Sequence, residues 1–113
     1  MRQVVDLQRD RQIGSMGLEV LSIAPDSAQA WAAAGRKLGI TTPLLSDPGN
    51  RVAAMFGVMR WGMGTMPGHT FVLIDRNGVI RWVRDYGAPE HGSVMYVSPS
   101  QLLPAIRQHL EET

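Results

Sequence analysis

Cysteine is absent from this chain of 113 residues. Its absence excludes a thiol nucleophile, a disulfide, a cysteine-based zinc site and an iron–sulfur cluster within these residues. A large excess of charge of one sign is absent as well, since the chain has 11 basic and 10 acidic residues and a net charge of +1. A protein dedicated to nucleic acid would show a basic stripe, so we expect no nucleic-acid partner. No apolar run approaches the roughly 18 residues of a membrane span, so we expect no membrane partner.

The residues that are present are typical of one folded domain. Hydrophobic residues make up 44% of the chain and charged residues 19%, which is a globular rather than a disordered composition. The length predicts a single domain over residues 1–113. The first ten residues are rich in charge and lack the apolar stretch of a signal peptide, so we expect a cytoplasmic location.

The first half of the chain alternates helical and strand patterns. Residues 2–12 predict an amphipathic helix. Leu18–Ile23 is rich in branched residues and predicts a largely buried strand. Asp26 or Ser27 caps the next helix, which we expect to end near Leu38.

A short strand and a short helix follow, and a loop comes after them. Pro43–Ser46 is an apolar run of strand length, and Asp47 is placed to cap a helix over Asn50–Phe56. Residues 58–68 contain glycine, proline and methionine without a regular period, which predicts a loop.

The clearest local pattern is a hairpin. His69–Asp75 and Val79–Tyr86 predict two antiparallel strands, and Asn77-Gly78 between them favours a tight turn. Ser98–Gln101 has the residues of a capping box with proline at the first helical position, which predicts the start of a last helix. Pro104 lies inside that helix, so we expect either a kink there or regular turns that begin only at Pro104.

This order of elements is that of a thioredoxin-like fold, and several segments resemble a known family. In chain order they are Leu44–Pro48, Val52-Ala53, Phe56–Val58, Thr70–Asp75 and Asn77–Ile80. Together, over roughly residues 4 to 110, they resemble the peroxiredoxins of the alkyl hydroperoxide reductase/thiol-specific antioxidant group, also called redoxins. The resemblance implies an α/β, three-layer thioredoxin-like fold with a C-terminal β-hairpin and helix. It also implies an antioxidant oxidoreductase that reduces hydroperoxides with a peroxidatic cysteine.

The sequence departs from the family at the residues that do this chemistry. The family places its cysteine in a Pro-x-x-x-Thr/Ser-x-x-Cys motif at the start of a helix, and the first helix here resembles the part just after that motif. The family's arginine, three residues before the strand phenylalanine, corresponds to Gly68. We therefore expect a fold truncated at the N-terminus, no catalytic residue, no cofactor and no thiol peroxidase activity.

The resemblance places four residues beside the family's active site, namely Pro67, Gly68, His69 and Thr70. Pro67 stands near the cis-proline position of thioredoxin-like proteins, although it lies four rather than three residues before Phe71; the alternative is an ordinary trans proline. His69 titrates near neutral pH and could serve as a base. The alternative for His69 is a partly exposed histidine at a strand edge.

Methionine and tryptophan are concentrated in the loop before the hairpin. Met59, Trp61, Met63 and Met66 predict an apolar loop that packs internally or forms an interaction surface. A thioether site for Cu(I) is an alternative interpretation of the methionines. The three histidines do not show metal-ligand spacing, so we expect no metal site. The alternative function is a noncatalytic binding module that uses this loop to contact an unknown protein partner.

The resemblance also bears on assembly. In the family a central strand lies between the strands that match Leu18–Ile23 and Thr70–Asp75, and this chain has no counterpart of it. Two open strand edges would remain, and open edges bind other strands. We expect self-association as a homodimer; the alternatives are direct pairing of the two strands or a poorly folded chain.

Overall fold

The computed structural model describes residues 2–56, 69–92, 94 and 96–111. The helices and strands of this part follow one another in a mixed order, which confirms the α/β class. They are α1 Arg2–Arg9, α2 Arg11–Ser15, β1 Ser22–Ala24, α3 Ala28–Leu38, β2 Leu44–Ser46, α4 Arg51–Met55, β3 Thr70–Ile74, β4 Ile80–Asp85 and α5 Pro99–Glu111, with short 3-10 helices at Pro48–Asn50 and Pro89–His91.

The first helical segment is interrupted, so the prediction of one helix over residues 2–12 is wrong. Asp10 has extended backbone angles and caps α2, because its Oδ1 accepts the Ile13 N–H at 2.9 Å. The break lets both short helices contribute to the same core, Leu7 from α1 and Ile13 from α2.

The strand predicted over Leu18–Ile23 is shorter than expected. Only β1 pairs, in parallel with β2, with Ser22 opposite Leu44 and Ala24 opposite Ser46. The crossover helix α3 begins as predicted, since Ser27 Oγ accepts the Ala30 N–H at 3.1 Å. Of the two candidate caps, Ser27 is therefore the one used.

The predicted cap of the short helix α4 is confirmed. Asp47 is buried, and its two carboxylate oxygens accept the N–H groups of Val52 at 2.9 Å and Ala53 at 3.0 Å. These backbone hydrogen bonds hold the pKa of Asp47 below its usual value.

The hairpin is confirmed, with strands slightly shorter than predicted. β3 and β4 are antiparallel and tightly joined, and Gly78 takes the positive φ of 80° that the turn requires. Leu73 lies opposite Trp82 and Ile74 opposite Ile80, so Arg81 is an extra residue on β4 and forms a bulge.

The last helix completes the core. Half of the predicted capping box is present, since the Ser98 N–H donates to Gln101 Oε1 at 2.9 Å. The reciprocal bond is not formed, because the Gln101 N–H donates to the Ser98 carbonyl at 2.9 Å and not to Ser98 Oγ. Helical turns begin at Pro99 and continue through Pro104, so the alternative that regular turns begin only at Pro104 is wrong. The core lies between α1, α2, α5 and one face of the hairpin, and its buried members are Leu7, Ile13, Leu73, Val97, Leu102, Leu103 and Ile106.

The four strands of the described residues form two two-stranded sheets, β1-β2 and β3-β4. Among the described residues no ladder joins β1 to β3, so the expected alternative of direct pairing is not observed. A cleft of about 1050 Å³ lies between these two strands instead. None of the helices in the described part is both long and apolar enough to cross a membrane.

Candidate functional site

His69 and the first turn of α1 are brought together by one glutamine side chain. Gln3 Nε2 donates to the carbonyl of Val97 at 2.7 Å, and Gln3 Oε1 accepts the Val97 N–H at 2.8 Å. The same Oε1 lies 3.0 Å from Nε2 of His69. Three parts of the chain, separated by up to 94 residues, thus meet at one amide.

The environment of His69 favours its neutral form. Burial is the main cause that lowers its pKa from 6.5, because a charged imidazolium is poorly solvated there. Gln3 Oε1 can only accept a hydrogen bond, so His69 carries a proton on Nε2 and keeps a lone pair on Nδ1. Phe71 packs edge-on against the ring, with centroids 5.3 Å apart. The arrangement is that of a half-buried structural histidine, with Nδ1 as its only basic atom.

The end of the hairpin approaches His69 closely at a glycine. The Tyr86 N–H donates to the His69 carbonyl at 2.9 Å. A Cβ placed on Gly87 would lie 3.0 Å from the His69 nitrogen and 3.2 Å from Oδ1 of Asp85. Both distances are shorter than ordinary van der Waals contact, so a side chain at position 87 would push against the backbone of His69 and glycine is favoured there.

A second polar cluster borders the same turn of α1. Arg2 Nε lies 3.4 Å from an Asp6 carboxylate oxygen, and the Arg2 guanidinium lies 4.4 Å from the centre of the Tyr96 ring. The Tyr96 hydroxyl donates to Asp6, and this hydrogen bond raises the pKa of Tyr96. The cluster attaches α1 to the segment that leads into α5.

The residues predicted to lie beside the active site are only partly within the described structure. His69 and Thr70 lie at the start of β3, next to the first turn of α1. Thr70 Oγ1 is buried and has no hydrogen-bond partner among the described residues. The remaining predicted residues, Pro67, Gly68, Met59, Trp61, Met63 and Met66, lie outside the described residues, so their roles stay predictions. Over the ranges that the structure covers, no group of three potential metal-ligating residues was found.

Sequence reasoning missed the two glutamines of α1 that hold distant loops. Gln3 is described above, and Gln8 accepts the N–H groups of Thr41 at 2.6 Å and Thr42 at 3.2 Å while its amide donates to the Gly39 carbonyl at 3.0 Å. A glutamine on the polar side of an amphipathic helix is ordinarily solvated, so the local sequence holds no signal for either role.

The cleft between the two sheets has a volume of about 1050 Å³, against about 350 Å³ for a second one beside α1 and α2. Leu21 and Ile23 line the β1 side, and Thr70, Val72 and Ile74 line the β3 side. Further lining residues come from α4, from the turn after β3, and from the segment before β1 and the end of α5; they include Val52, Phe56, Asp75, Arg76, Leu18 and Leu110.

Comparison with known proteins supports the family resemblance. Residues 2–83 match the model of the AhpC/TSA family. Chloroplastic peroxiredoxin Q of Sedum lineare is 39% identical over 67 residues, which cover 59% of this chain and 36% of that protein. Those of Triticum aestivum and Suaeda salsa are 36% and 39% identical over the same length, covering 31% of each.

The chain spans about a third of the length of the curated relatives it matches. The family match, in contrast, covers well over half of the chain, from α1 to within β4. It confirms the thioredoxin-like α/β fold expected from the order of helices and strands. The chain belongs to the AhpC/TSA family.

Proposed function

We propose that this chain is a redoxin-family protein that, in this cysteine-free form, does not reduce peroxide with a thiol. The observation that carries the proposal is the absence of cysteine from all 113 residues. Peroxide reduction by this family's chemistry needs a thiolate of low pKa, formed where cations or a helix N-terminus stabilise the negative charge.

The residues around His69 support the same proposal. The imidazole is half-buried, and its pKa is lowered rather than raised. Its Nε2 proton is engaged by Gln3 at 3.0 Å. A neutral histidine can accept a proton, but it holds no redox-active atom that could take the oxygen of a hydroperoxide. Any peroxidase activity of a longer form would therefore depend on a cysteine outside these residues.

The test is a peroxidase assay on the purified chain. Hydrogen peroxide consumption is followed with dithiothreitol, and separately with thioredoxin and its reductase, against a heat-denatured sample and a cysteine-containing peroxiredoxin. We expect consumption equal to that of the denatured sample. Protein-dependent turnover above it, linear in chain concentration, would refute the proposal.

Noncatalytic binding is the second candidate function. It is favoured by the cleft, whose lining includes apolar side chains as exposed as Leu21 at 56% and Ile74 at 50%. Apolar groups exposed together in one concave feature mark interaction sites in soluble proteins. Affinity capture with the immobilised chain, followed by a direct binding assay with each purified candidate, tests this function.

The homodimer and the cytoplasmic location belong to the same proposal. Within the described part of the chain, the edges of β1 and β3 that face the cleft take part in no ladder, which supports self-association, since unpaired strand edges pair with other chains. Light scattering across micromolar concentrations tests the dimer, and a monomer mass throughout would refute it. Microscopy of a fluorescent fusion in the source cell tests the location, and signal confined to an organelle would refute it.

A further inference from the structure

We propose that Asn77, in the turn of the hairpin, is a site of spontaneous deamidation, and that the closed turn restrains this reaction until the turn opens. The product carries a carboxylate, as aspartate or isoaspartate, in place of the amide. The proposal goes beyond the proposed function, because it concerns the end of the hairpin away from His69 and holds whether or not the chain reduces peroxide.

The sequence at the turn supplies the two groups that react. Asn77 carries a side-chain amide, and Gly78 places a backbone nitrogen next to it without a side chain that would hinder its approach. Both residues are exposed, and a Cβ added to Gly78 would have no atom within 4 Å. Water and hydroxide therefore reach the pair from solvent.

The reaction balances without an oxidant, a reductant or a cofactor. Hydroxide removes the Gly78 N–H proton, and the nitrogen attacks Cγ of Asn77 to form a cyclic succinimide. The bond between Cγ and the amide nitrogen breaks, and ammonia leaves with a proton from water, which restores the hydroxide. Water then opens the ring at one of its two carbonyl groups. Opening at one carbonyl gives aspartate, and opening at the other gives isoaspartate, in which the main chain runs through the side-chain carbon.

The closed turn keeps the attacking nitrogen out of this reaction. The Gly78 N–H donates to the Asp75 carbonyl at 3.0 Å, and the Asp75 N–H donates to the Val79 carbonyl at 2.9 Å. A backbone N–H in such a bond loses its proton to solvent only after the bond opens, which is the basis of protection in amide hydrogen exchange. Deamidation of the folded chain therefore proceeds from the open turn.

One carboxylate is placed to hold the turn closed. Asp75 Oδ1 accepts the N–H groups of Asn77 at 2.8 Å and Val79 at 3.0 Å. Its Oδ2 accepts a hydrogen bond from Nε of Arg81 at 2.8 Å. The Asp75 side chain is only 7% exposed, so these bonds are partly shielded from water. Loss of the carboxylate would remove all three charge-assisted bonds at once and raise the fraction of open turns.

The other asparagine of the chain lacks these features. Asn50 is buried at 6% exposure, and it precedes Arg51, the first residue of α4. The side chain of Arg51 hinders attack by the nitrogen that this residue carries, whereas Gly78 has no such side chain. Asn50 therefore serves as an internal control for the same chemistry in the same sample.

Conversion to isoaspartate would weaken the hairpin in which it occurs. The main chain then has one more carbon atom in a turn that two hydrogen bonds close, from Gly78 to Asp75 and from Asp75 to Val79. The new carboxylate also follows closely on that of Asp75, and like charges repel. Because β3 contributes Leu73 to the core, we expect the isoaspartate form to melt below the unmodified chain.

The experiment incubates the purified chain at neutral pH, folded in buffer and unfolded in urea, and follows each asparagine by peptide mapping. Mass spectrometry detects the replacement of an amide NH2 by OH, and a protease that cleaves before aspartate but not before isoaspartate separates the two products. The matched variants are Asp75→Ala and Asp26→Ala, since both remove one carboxylate but only that of Asp75 bonds to the turn. A second pair is Arg81→Gln, which breaks the ion pair alone, with Arg107→Gln as its control. Thermal melts verify that the variants fold.

We expect Asn77 of the folded chain to deamidate at least about tenfold more slowly than in urea, and to give both aspartate and isoaspartate. Asp75→Ala should accelerate the folded-state reaction severalfold and Arg81→Gln less, while the two controls leave it unchanged. In urea every variant should react at the rate of the wild type. Asn50 should stay intact in the folded chain.

Each part of the proposal has a result that would overturn it. Asn77 that stays intact in urea, or that gives no isoaspartate, would refute the site, and equal rates in buffer and urea would refute the restraint by the turn. Equal rates for Asp75→Ala and Asp26→Ala would show that the carboxylate does not hold the turn; where Asp75→Ala fails to fold, the second pair decides. An isoaspartate form that melts with the unmodified chain would refute the effect on the hairpin.

Discussion

Replacing Gln3 by methionine tests whether one side chain fixes the start of α1 against distant segments. Methionine has a similar volume and helix propensity, so the change removes the amide and little else. Val97 is only 1% exposed, so its N–H and C=O lose their partners in a site that water does not reach easily. His69 loses the acceptor of its Nε2 proton as well.

The expected magnitude follows from these three hydrogen bonds. An unsatisfied buried backbone group costs about 1–3 kcal/mol, and local rearrangement recovers part of that cost. We expect Gln3→Met to lower the free energy of unfolding by about 2–4 kcal/mol, a large share of the roughly 5–15 kcal/mol that holds a domain folded. At this chain length the melting temperature should fall by roughly 8–16 °C.

Calorimetry or circular dichroism measures this change, with Gln108→Met as the matched control. Gln108 is an exposed glutamine of α5, so its replacement should alter stability by less than about 0.5 kcal/mol. A double-mutant cycle with His69→Gln should show coupling, because Gln3 and His69 share a hydrogen bond. A Gln3→Met variant that melts within about 2 °C of the wild type would refute the argument.

Two further predictions concern the same region. Gly87→Ala should destabilise the fold by about 1–3 kcal/mol, because its Cβ would meet the His69 nitrogen at 3.0 Å. The control is Gly14→Ala in α2, which should be neutral or stabilising because no atom lies within 4 Å of the added Cβ. Chemical denaturation measures both variants, and equal changes in stability would contradict the close approach at Gly87. Burial places the folded-state pKa of His69 below its unfolded value of 6.5, so its contribution to stability is present above that value and is lost as the pH falls through the folded pKa. Between about pH 7.5 and pH 5 the wild type should therefore lose more stability than His69→Gln, and identical losses would show that this histidine does not contribute.

Features decided by neighbours in the chain were predictable from the sequence. Ser27 caps α3 through the residue three positions on, Gln101 caps the Ser98 N–H over the same spacing, and Gly78 closes the hairpin with a positive φ. Each depends on backbone geometry within a few residues, so the residue types suffice. The family, too, was recognisable from short segments in their order, and the match over residues 2–83 confirms it.

The tertiary structure alone decided the features that depend on distant residues. Gln3 and Val97 are 94 positions apart, and nothing in a polar helix face indicates that one glutamine will bond to a buried backbone. The sequence predicted a strand at Leu18–Ile23 from its apolar run, but a strand is defined by its partner, and β2 reaches only Ser22–Ala24. A local pattern can indicate that β1 and β3 are strands, but not which strands pair, because pairing joins residues that are distant in the sequence. In the described structure β1 pairs with β2 and β3 pairs with β4, and the cleft lies between β1 and β3.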